Sequence, residues 1–333
     1  LHLASKAKLI YLLTIIVPFG FSLFSVISKF KNINYLRNKY YPIVEIINEV
    51  KLTLERKEKA TIIVVPSTPD INQHNISFFG RMEGENILGR QLGQSLSHIK
   101  PVLNQANWVV LAEGSQGSVP ANSIVLDKAI RESGFFYNVR QFPRKTEGSY
   151  SLWRRNLEAP QPTNFVNRFS ELAIGMEKGP LGIKNIFDEI AIQHMIDGHF
   201  KYQNIVRNKA LSKISSNPEN IESYWTLSLL KILENRPSEA DIYLRNLETK
   251  LPNNSWPSVY RSIVNLASWN AWKASLIADR AYERNQNLVI KGLGDISALF
   301  RGAFWRFNSA TSTVPEAVKN INKALKVIEK VES

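Results

Sequence analysis

Apolar residues follow several patterns along the chain, and the first is a long run without charge near its beginning. Residues 9–27 read LIYLLTIIVPFGFSLFSVI and contain no Asp, Glu, Lys or Arg. At about 1.5 Å per residue this run makes a helix roughly 28 Å long, close to the hydrocarbon thickness of a bilayer. Pro18 and Gly20 are tolerated inside membrane helices. We therefore predict a transmembrane anchor over residues 1–31; the alternative is a cleaved signal peptide, whose apolar region is normally shorter.

After this run, apolar residues recur at helical spacing. Residues 32–59 are predicted to form an amphipathic connecting helix, because one helical face would carry Ile43, Ile46, Ile47, Val50 and Leu54.

Short apolar runs then predict strands in residues 60–155. Residues 60–65, 76–79 and 108–112 are rich in apolar residues, and residues 135–142 and 149–154 complete the set. A helix is predicted over 120–133, with Pro120 in its first turn, and residues 86–105 are predicted to be helical in part. Strand, polar loop and helix in this order are typical of a small α/β sandwich domain. The proline-containing residues 156–164 are predicted to be a linker.

Residues 165–333 contain no clear strand pattern and are predicted to be all-helical. Small and apolar residues recur there in three triplets: Ala240, Leu244, Leu247; Ala274, Ala278, Ala281; and Ala317, Ile321, Ala324. The first two triplets are 34 residues apart, which is the tetratricopeptide period, whereas the third lies 43 residues further on. The pattern favours tetratricopeptide-like helical hairpins over an irregular bundle. Trp225, Trp269 and Trp272 fall within these helical patterns and are predicted as core residues, with an aromatic peptide-binding groove as the alternative.

The amino-acid composition limits the kinds of site and partner that this chain can have. The 333 residues include no cysteine, which excludes disulfides, thiolate metal sites and a cysteine nucleophile. The formal net charge is +13, and residues 1–59 alone carry ten Lys/Arg against four Asp/Glu. This excess beside the predicted anchor favours contact with membrane lipid, and no signature of a nucleic-acid-binding module is present. The positive-inside rule applied to the flanking lysines slightly favours a cytoplasmic body.

Two polar loops are candidates for a ligand site, because each follows a predicted buried strand. In open α/β sheets, ligands bind beyond the carboxyl ends of the strands. The candidate residues are Asp70, His74 and Asn75 in and after the first loop, and Glu113, Ser115, Gln116 and Ser118 in the second. The two loops meet only if their strands are parallel neighbours. The alternative is that both loops merely close turns, with Asp70 and Ser118 as local helix caps.

The sequence indicates no catalytic residue, metal or cofactor. A serine hydrolase elbow needs Gly-x-Ser-x-Gly, but Glu113 stands in place of the first glycine relative to Ser115. His194 and His199 are five residues apart, whereas two histidines on one face of a metal-binding helix are four apart.

Several phrases of the chain resemble membrane glycosyltransferases of the protein-mannosyltransferase and aminoarabinose-transferase type. They are VVPSTPDINQHNISFFGRMEGENILGRQLG, NWVVLAEGSQGSVPANS, RESGFFYNVRQFPR and GSYSLWRR, and the resemblance covers about residues 9–205. In some of these proteins a soluble extracytoplasmic domain follows the last membrane helix. The resemblance implies that this chain is that helix plus its tail, in keeping with Leu1 in place of Met, and that its soluble part is extracytoplasmic. The orientation in the membrane is therefore open.

Such enzymes use a polyprenyl-phosphate sugar, and their catalytic acidic residues lie in a loop after the first membrane helix. This chain has no such loop, so no catalytic residue carries over. We therefore expect a membrane-anchored, non-catalytic module of a glycosyl-transfer system, with a possible glycan or sugar-phosphate ligand and a protein partner. The alternatives are a self-sufficient anchored scaffold for protein partners and a complete small enzyme that uses the two polar loops.

Overall fold

The computed structural model describes residues 42–55, 58–82, 86–93, 95–119, 121–144, 147–159 and 165–332. The chain divides into two compact units, Leu1–Pro162 and Thr163–Ser333. The predicted anchor lies outside the described residues. Within the described residues, no helix is both long enough and apolar enough to cross a bilayer.

The first unit is mixed α/β, as predicted. Its elements are α1 (Ile43–Lys51), β1 (Ala60–Val64), α2 (Gln73–Met82), β2 (Ile87–Gln91), a 3-10 turn (Leu96–His98), α3 (Ile99–Gln105), β3 (Trp108–Ala112), α4 (Ala121–Glu132), β4 (Phe136–Pro143) and β5 (Ser149–Arg155).

These strands form one mixed sheet in the order β2-β1-β3-β5-β4. β1 runs parallel to both β2 and β3, whereas β5 is antiparallel to β3 and to β4. β4 forms one edge, and a β-bulge between Asn138 and Arg140 interrupts its pairing with β5. The largely apolar runs predicted as strands at 60–65 and 108–112 are confirmed as β1 and β3, which are neighbours in the interior of the sheet.

Helix α1 belongs to the core of this unit. It buries Ile43, Ile46, Ile47 and Val50 in the cluster that also contains the inward-facing residues of the sheet. Burying such side chains contributes roughly 1.5–3 kcal/mol each. The described helix is also shorter than the predicted range 32–59, because it ends at Lys51.

Of two expectations for residues 76–105, the strand at 76–79 was wrong and the partly helical 86–105 is confirmed. Residues 76–79 form part of α2 and not a strand, because Asn72 caps this helix: its Oδ1 accepts the backbone N–H of His74 and of Asn75, both at 3.0 Å. Residues 87–91 form β2, and the helical part of 86–105 is confined to its second half. Gly89 lies in this strand because α2 crosses it closely; a Cβ there would be 2.6 Å from the carbonyl oxygen of Gln73.

In the described residues 165–332 the second unit contains only helices and turns. The helices are α5 (Phe165–Ile174), α6 (Pro180–Ile196), α7 (Tyr202–Ser216), α8 (Ile221–Leu233), α9 (Pro237–Lys250), α10 (Trp256–Ala267), α11 (Ala271–Arg284), α12 (Leu288–Phe300) and α13 (Phe307–Glu332), with 3-10 turns at Gly175–Lys178 and Phe304–Arg306.

Helices α8 to α13 form three successive hairpins, α8/α9, α10/α11 and α12/α13, and each helix packs against the next. The second helices of the hairpins begin at Pro237, Ala271 and Phe307, which are 34 and 36 residues apart. The first two predicted triplets are buried at equivalent positions of α9 and α11.

The third triplet was predicted about two helical turns too late in the chain. Ala310, Val314 and Ala317 occupy the equivalent positions of α13, 36 residues beyond the second triplet. Val314 lies against Gly292 of α12, where an added Cβ would be 3.5 Å from it. Ile321 and Ala324 therefore lie beyond the repeat, and the side chain of Ala324 is outside the described part.

The three tryptophans predicted as core residues have different environments. Trp225 is fully buried, and its indole Nε1 donates to Oε1 of Glu177 at 2.6 Å. Trp269 and Trp272 are instead 88% and 67% exposed. The prediction was wrong for these two because Trp269 lies in the turn between α10 and α11 and Trp272 lies in the first turn of α11, at the end of the hairpin.

Candidate functional site

The two polar loops leave the same edge of the sheet. β1 and β3 are parallel neighbours, with Ile62 beside Trp108 and Val64 beside Val110, so their carboxyl ends lie side by side. The loops then bond to each other: the Ser67 N–H donates to the Gln116 carbonyl at 2.9 Å, and the Ser118 N–H donates to the Ser67 carbonyl at 3.1 Å. Ser67 of the first loop is thus held directly against residues 116–118 of the second.

Gly117 makes this close contact possible. Its φ is +76°, and a Cβ at this position would lie 2.0 Å from the carbonyl oxygen of Ser67. Any side chain here would push the two loops apart.

The first loop provides one unengaged carboxylate. Asp70 forms no side-chain hydrogen bond or ion pair with the described part of the chain, and it does not cap α2, because Asn72 does. His74 is exposed in the first turn of that helix. Asn75 has a structural task, since its Nδ2 donates to the Pro69 carbonyl at 2.9 Å.

The second loop is held in place by a hydrogen bond to β5 and by hydrogen bonds within the loop itself. Oε2 of Glu113 accepts the hydroxyl of Ser149 at 2.8 Å, and the hydroxyl oxygen of Ser115 accepts the Gly117 N–H at 3.2 Å. The amide Nε2 of Gln116 donates to the Ala112 carbonyl at 2.7 Å. Its Oε1 is shielded from solvent and has no partner among the described residues, so this amide has acceptor capacity left.

The sequence did not indicate the third contributor to this edge, the hairpin between β4 and β5. Arg144 donates from Nη1 to the carbonyls of Glu113 at 2.7 Å and Ser115 at 2.8 Å, and its guanidinium lies 4.8 Å from the ring centroid of Tyr150. The Tyr150 hydroxyl in turn lies 2.7 Å from the hydroxyl of Thr68, which is buried. Only the antiparallel return of β5 beside β3 brings these residues to the loops, and no local sequence pattern reports that pairing.

This arrangement suits the binding of a polar ligand. It offers the carboxylates of Asp70 and Glu113, the exposed hydroxyl of Ser115 and the cation of Arg144, all of which form hydrogen bonds with polar groups. The hydrogen bonds of the described residues join Ser115 to Gly117 and not to a histidine, which a serine nucleophile needs as its base.

The histidine pair of the second unit is part of a helix end. His194 lies in the last turn of α6, and its Nε2 is 2.8 Å from the hydroxyl of Tyr202. Burial raises the pKa of Tyr202 to about 12, so the phenol keeps its proton at neutral pH. Within the described residues, no group of His, Asp and Glu side chains is arranged to hold a metal ion.

A second concave surface lies at the turns between successive hairpins. This cavity of about 560 Å³ is lined by Glu177, Lys250 and Trp256 and by four asparagines, Asn253, Asn254, Asn285 and Asn287. Most of its asparagines are engaged in turns: Asn254 donates to the Glu177 carbonyl at 3.3 Å, and Asn287 caps α12. The cavity is therefore built mainly by the turn chemistry of the hairpins.

Comparison of the chain with protein-family models, with curated proteins and with solved structures finds no match to any of them.

Proposed function

We propose that this chain is a membrane-anchored, non-catalytic module of a glycosyl-transfer system, either the C-terminal portion or a subunit of a membrane glycosyltransferase. Its α/β unit binds a glycan or sugar phosphate at the carboxyl edge of the sheet, and residues 9–27 anchor it in the membrane. The sequence phrases that resemble such enzymes support the link to sugar transfer.

One observation carries the ligand part of this proposal. The loops after β1 and β3 are bonded to each other through Ser67, which supports a ligand site shared by the first loop, with Asp70, and the polar second loop. The buried sheet holds both loops in place, so the loops lose less conformational entropy when a ligand binds.

The test is an NMR titration of the full chain in detergent micelles or nanodiscs with mannose 1-phosphate, inorganic phosphate and mannose. We expect the sugar phosphate to shift the amide signals of residues 114–118 and of Asp70. Inorganic phosphate alone should shift the signals of the second loop near Arg144 but leave that of Asp70 unchanged.

The matched variants are Asp70→Asn and Glu132→Gln. Both replace a carboxylate of the first unit that is accessible to solvent, but Glu132 lies on α4, where it pairs with the exposed Lys128. Asp70→Asn should weaken binding about tenfold, the effect of losing a charge-assisted hydrogen bond, with unfolding unchanged within about 0.5 kcal/mol. Equal affinities of the two variants, or no shift in residues 114–118 at saturating ligand, would refute the site.

A second candidate function is that of a self-sufficient anchored scaffold for protein partners. The three hairpins with their spacing of 34 and 36 residues favour it, because such tetratricopeptide-like arrays present extended surfaces to peptides. The two candidates differ in the titration above: a pure scaffold leaves residues 114–118 unaffected by every sugar phosphate.

A further inference from the structure

Trp269 has a backbone conformation that tryptophan rarely adopts. The same position recurs in the turns within the three hairpins, where Asn235, Trp269 and Gly302 have φ values of +55°, +59° and +89°. Asparagine and glycine tolerate the left-handed region, whereas a bulky residue there is strained. The Trp269 side chain is 88% exposed, so burial does not offset this strain. Strain that packing does not explain points to a function of the side chain.

Trp269 is one of six large aromatic residues exposed at the same end of the helical array. We call this surface the aromatic tip; it comprises Trp269, Trp272, Phe300, Phe304, Trp305 and Phe307. They come from the turns within the second and third hairpins, and these turns are in contact: the guanidinium of Arg301 lies 4.7 Å from the ring centroid of Trp272. Each of the six is at least 59% exposed, and so large a cluster is unusual for a surface that faces only water.

The two turns that form the aromatic tip contain basic residues and no acidic residue. No Asp or Glu occurs between residues 249 and 278 or between residues 296 and 315, whereas Lys273, Arg301 and Arg306 all lie at the two turns. Lys273 and Arg306 are paired with the carboxylates of Asp241 and Asp295. Arg301 forms no ion pair with any carboxylate in the described part of the chain.

We propose that the aromatic tip inserts into the headgroup region of a lipid bilayer that contains anionic lipid. Tryptophan prefers this region because its ring is apolar and its indole N–H needs a polar partner, and arginine there binds lipid phosphate. The tip is formed by turns at the end of the array, and fluid lipid accommodates six side chains at different heights, whereas a peptide partner would need a groove. This contact is separate from the predicted anchor over residues 9–27 and does not depend on it.

The absence of native cysteine allows a local test in the full chain. Asn308→Cys places an environment-sensitive fluorophore next to Phe307, and Ile242→Cys places the same fluorophore on an exposed site of α9, outside the tip. The labelled chain is added to, or reconstituted into, phosphatidylcholine vesicles with and without phosphatidylglycerol, and quenching by brominated phosphatidylcholine is measured. We expect a blue shift and quenching at residue 308 when phosphatidylglycerol is present, and neither at residue 242.

The double variant Trp269→Asn with Trp305→Ser should reduce the quenching at residue 308 to the level of the residue 242 control. Its thermal midpoint, measured in parallel, shows that the variant is folded. Equal quenching at both labels, or full access of iodide to residue 308 in anionic vesicles, would overturn the proposal. A blue shift that needs no lipid and grows with protein concentration would also overturn it, because a second copy would then cover the tip. The predicted anchor is tested separately, by measuring whether carbonate extracts the unlabelled chain from the membrane.

Discussion

At the scale of single residues, Trp269 has a backbone conformation that lowers the stability of the fold, so its presence there is explained by function and not by stability. A left-handed conformation costs a residue other than glycine roughly 1–2 kcal/mol, and asparagine less. The first hairpin has Asn235 at the equivalent position, with a similar φ of +55°. The same turn in the first hairpin thus contains a residue better suited to this conformation.

We predict that Trp269→Asn raises the stability of the helical unit by about 0.5–1 kcal/mol, which corresponds to a rise of about 2 °C in Tm. Little is lost in exchange, because the tryptophan side chain is almost fully exposed. Calorimetry of the variant checks this. Trp272→Asn is the control: it removes an equally apolar exposed side chain from an ordinary helical position, and it should not raise the Tm. A fall in Tm for Trp269→Asn would contradict the argument from strain.

The environments of the tryptophans also show what sequence spacing leaves open. Trp225, Trp269 and Trp272 all fit helical patterns, yet only Trp225 is buried. Helical spacing identifies residues that share a face, but it does not tell whether a neighbouring helix covers that face. At Trp269 the helix has already ended, which a pattern of apolar residues does not reveal.

At the scale of elements, a network of charges joins the hairpins. The carboxylate of Asp241 on α9 accepts Arg261 at 3.0 Å and Asn265 at 2.9 Å from α10, and Lys273 at 2.8 Å from α11. Burial alone would raise the pKa of Asp241, but the hydrogen bonds and charges of Lys273 and Arg261 outweigh it and hold the pKa below its ordinary value. Asp241 thus stabilises the fold in its charged form.

This network predicts a specific dependence on pH. Because the pKa of Asp241 is lower in the folded chain, its contribution is complete above the unfolded value of about 4 and is lost as the pH falls through the folded value. Asp241→Asn should lower the Tm at neutral pH, and the difference from the wild type should shrink below about pH 4. Glu283→Gln, an exposed change on α11, serves as the control and should follow the wild type throughout. A difference that stays constant down to about pH 3 would count against the network.

Close contact between helices gives a second prediction for the elements. Ala274 is fully buried on α11, and its carbonyl accepts the hydroxyl of Ser262 on α10 at 2.8 Å. Ala274→Leu should therefore overpack this contact and cost about 1–3 kcal/mol, as should Ala240→Leu in the preceding hairpin. Glu283→Leu adds an apolar residue to the exposed face of α11 and should change stability by about 0.5 kcal/mol or less. Denaturant titration compares the three; unchanged stability of the alanine variants would disprove close hairpin packing.

The sequence predicted some elements well and others poorly for physical reasons. The runs that became β1 and β3 are apolar on both faces, which suits the buried centre of a sheet. The short apolar run at residues 76–79 has no such distinction, because four residues fit a strand or one turn of helix equally. Gly89 suggested an interrupted helix, whereas its role is to let α2 approach β2.

At the scale of the whole molecule, the predicted anchor remains a prediction from the uncharged run at residues 9–27. We expect the full chain to sediment with membranes and to resist extraction by carbonate. Replacing Ile15 and Val17 by lysine should release it, since each charge at the centre of a membrane helix costs about 2.5–3.5 kcal/mol. Lysine at the exposed residues Ile205 and Leu211 provides the matched control and should leave the chain in the membrane. An unmodified, uncleaved chain found wholly in the soluble fraction would disprove the anchor.

The candidate site could be predicted only in part. The polar residues that follow β1 and β3 were visible in the sequence, but their meeting depended on the two strands being parallel neighbours. The contribution of Arg144 could not be predicted from the sequence for the same reason. It reaches Glu113, 31 residues earlier in the chain, only because β5 pairs with β3. Asn75 and Gln116 looked like ligand-binding amides, but part of their hydrogen-bonding capacity serves the loops themselves.

The outer edge of the sheet has a consequence for crowded conditions. β4 is an edge strand, and such strands readily accept a strand from another molecule and start polymerisation. Here the bulge between Asn138 and Arg140 breaks the regular spacing of backbone groups, and Pro143 has no N–H to offer. An incoming strand would also have to displace Arg140 from Glu45 and Glu49. Neighbouring copies of this unit are therefore hindered from joining their sheets through β4, even when they are crowded together.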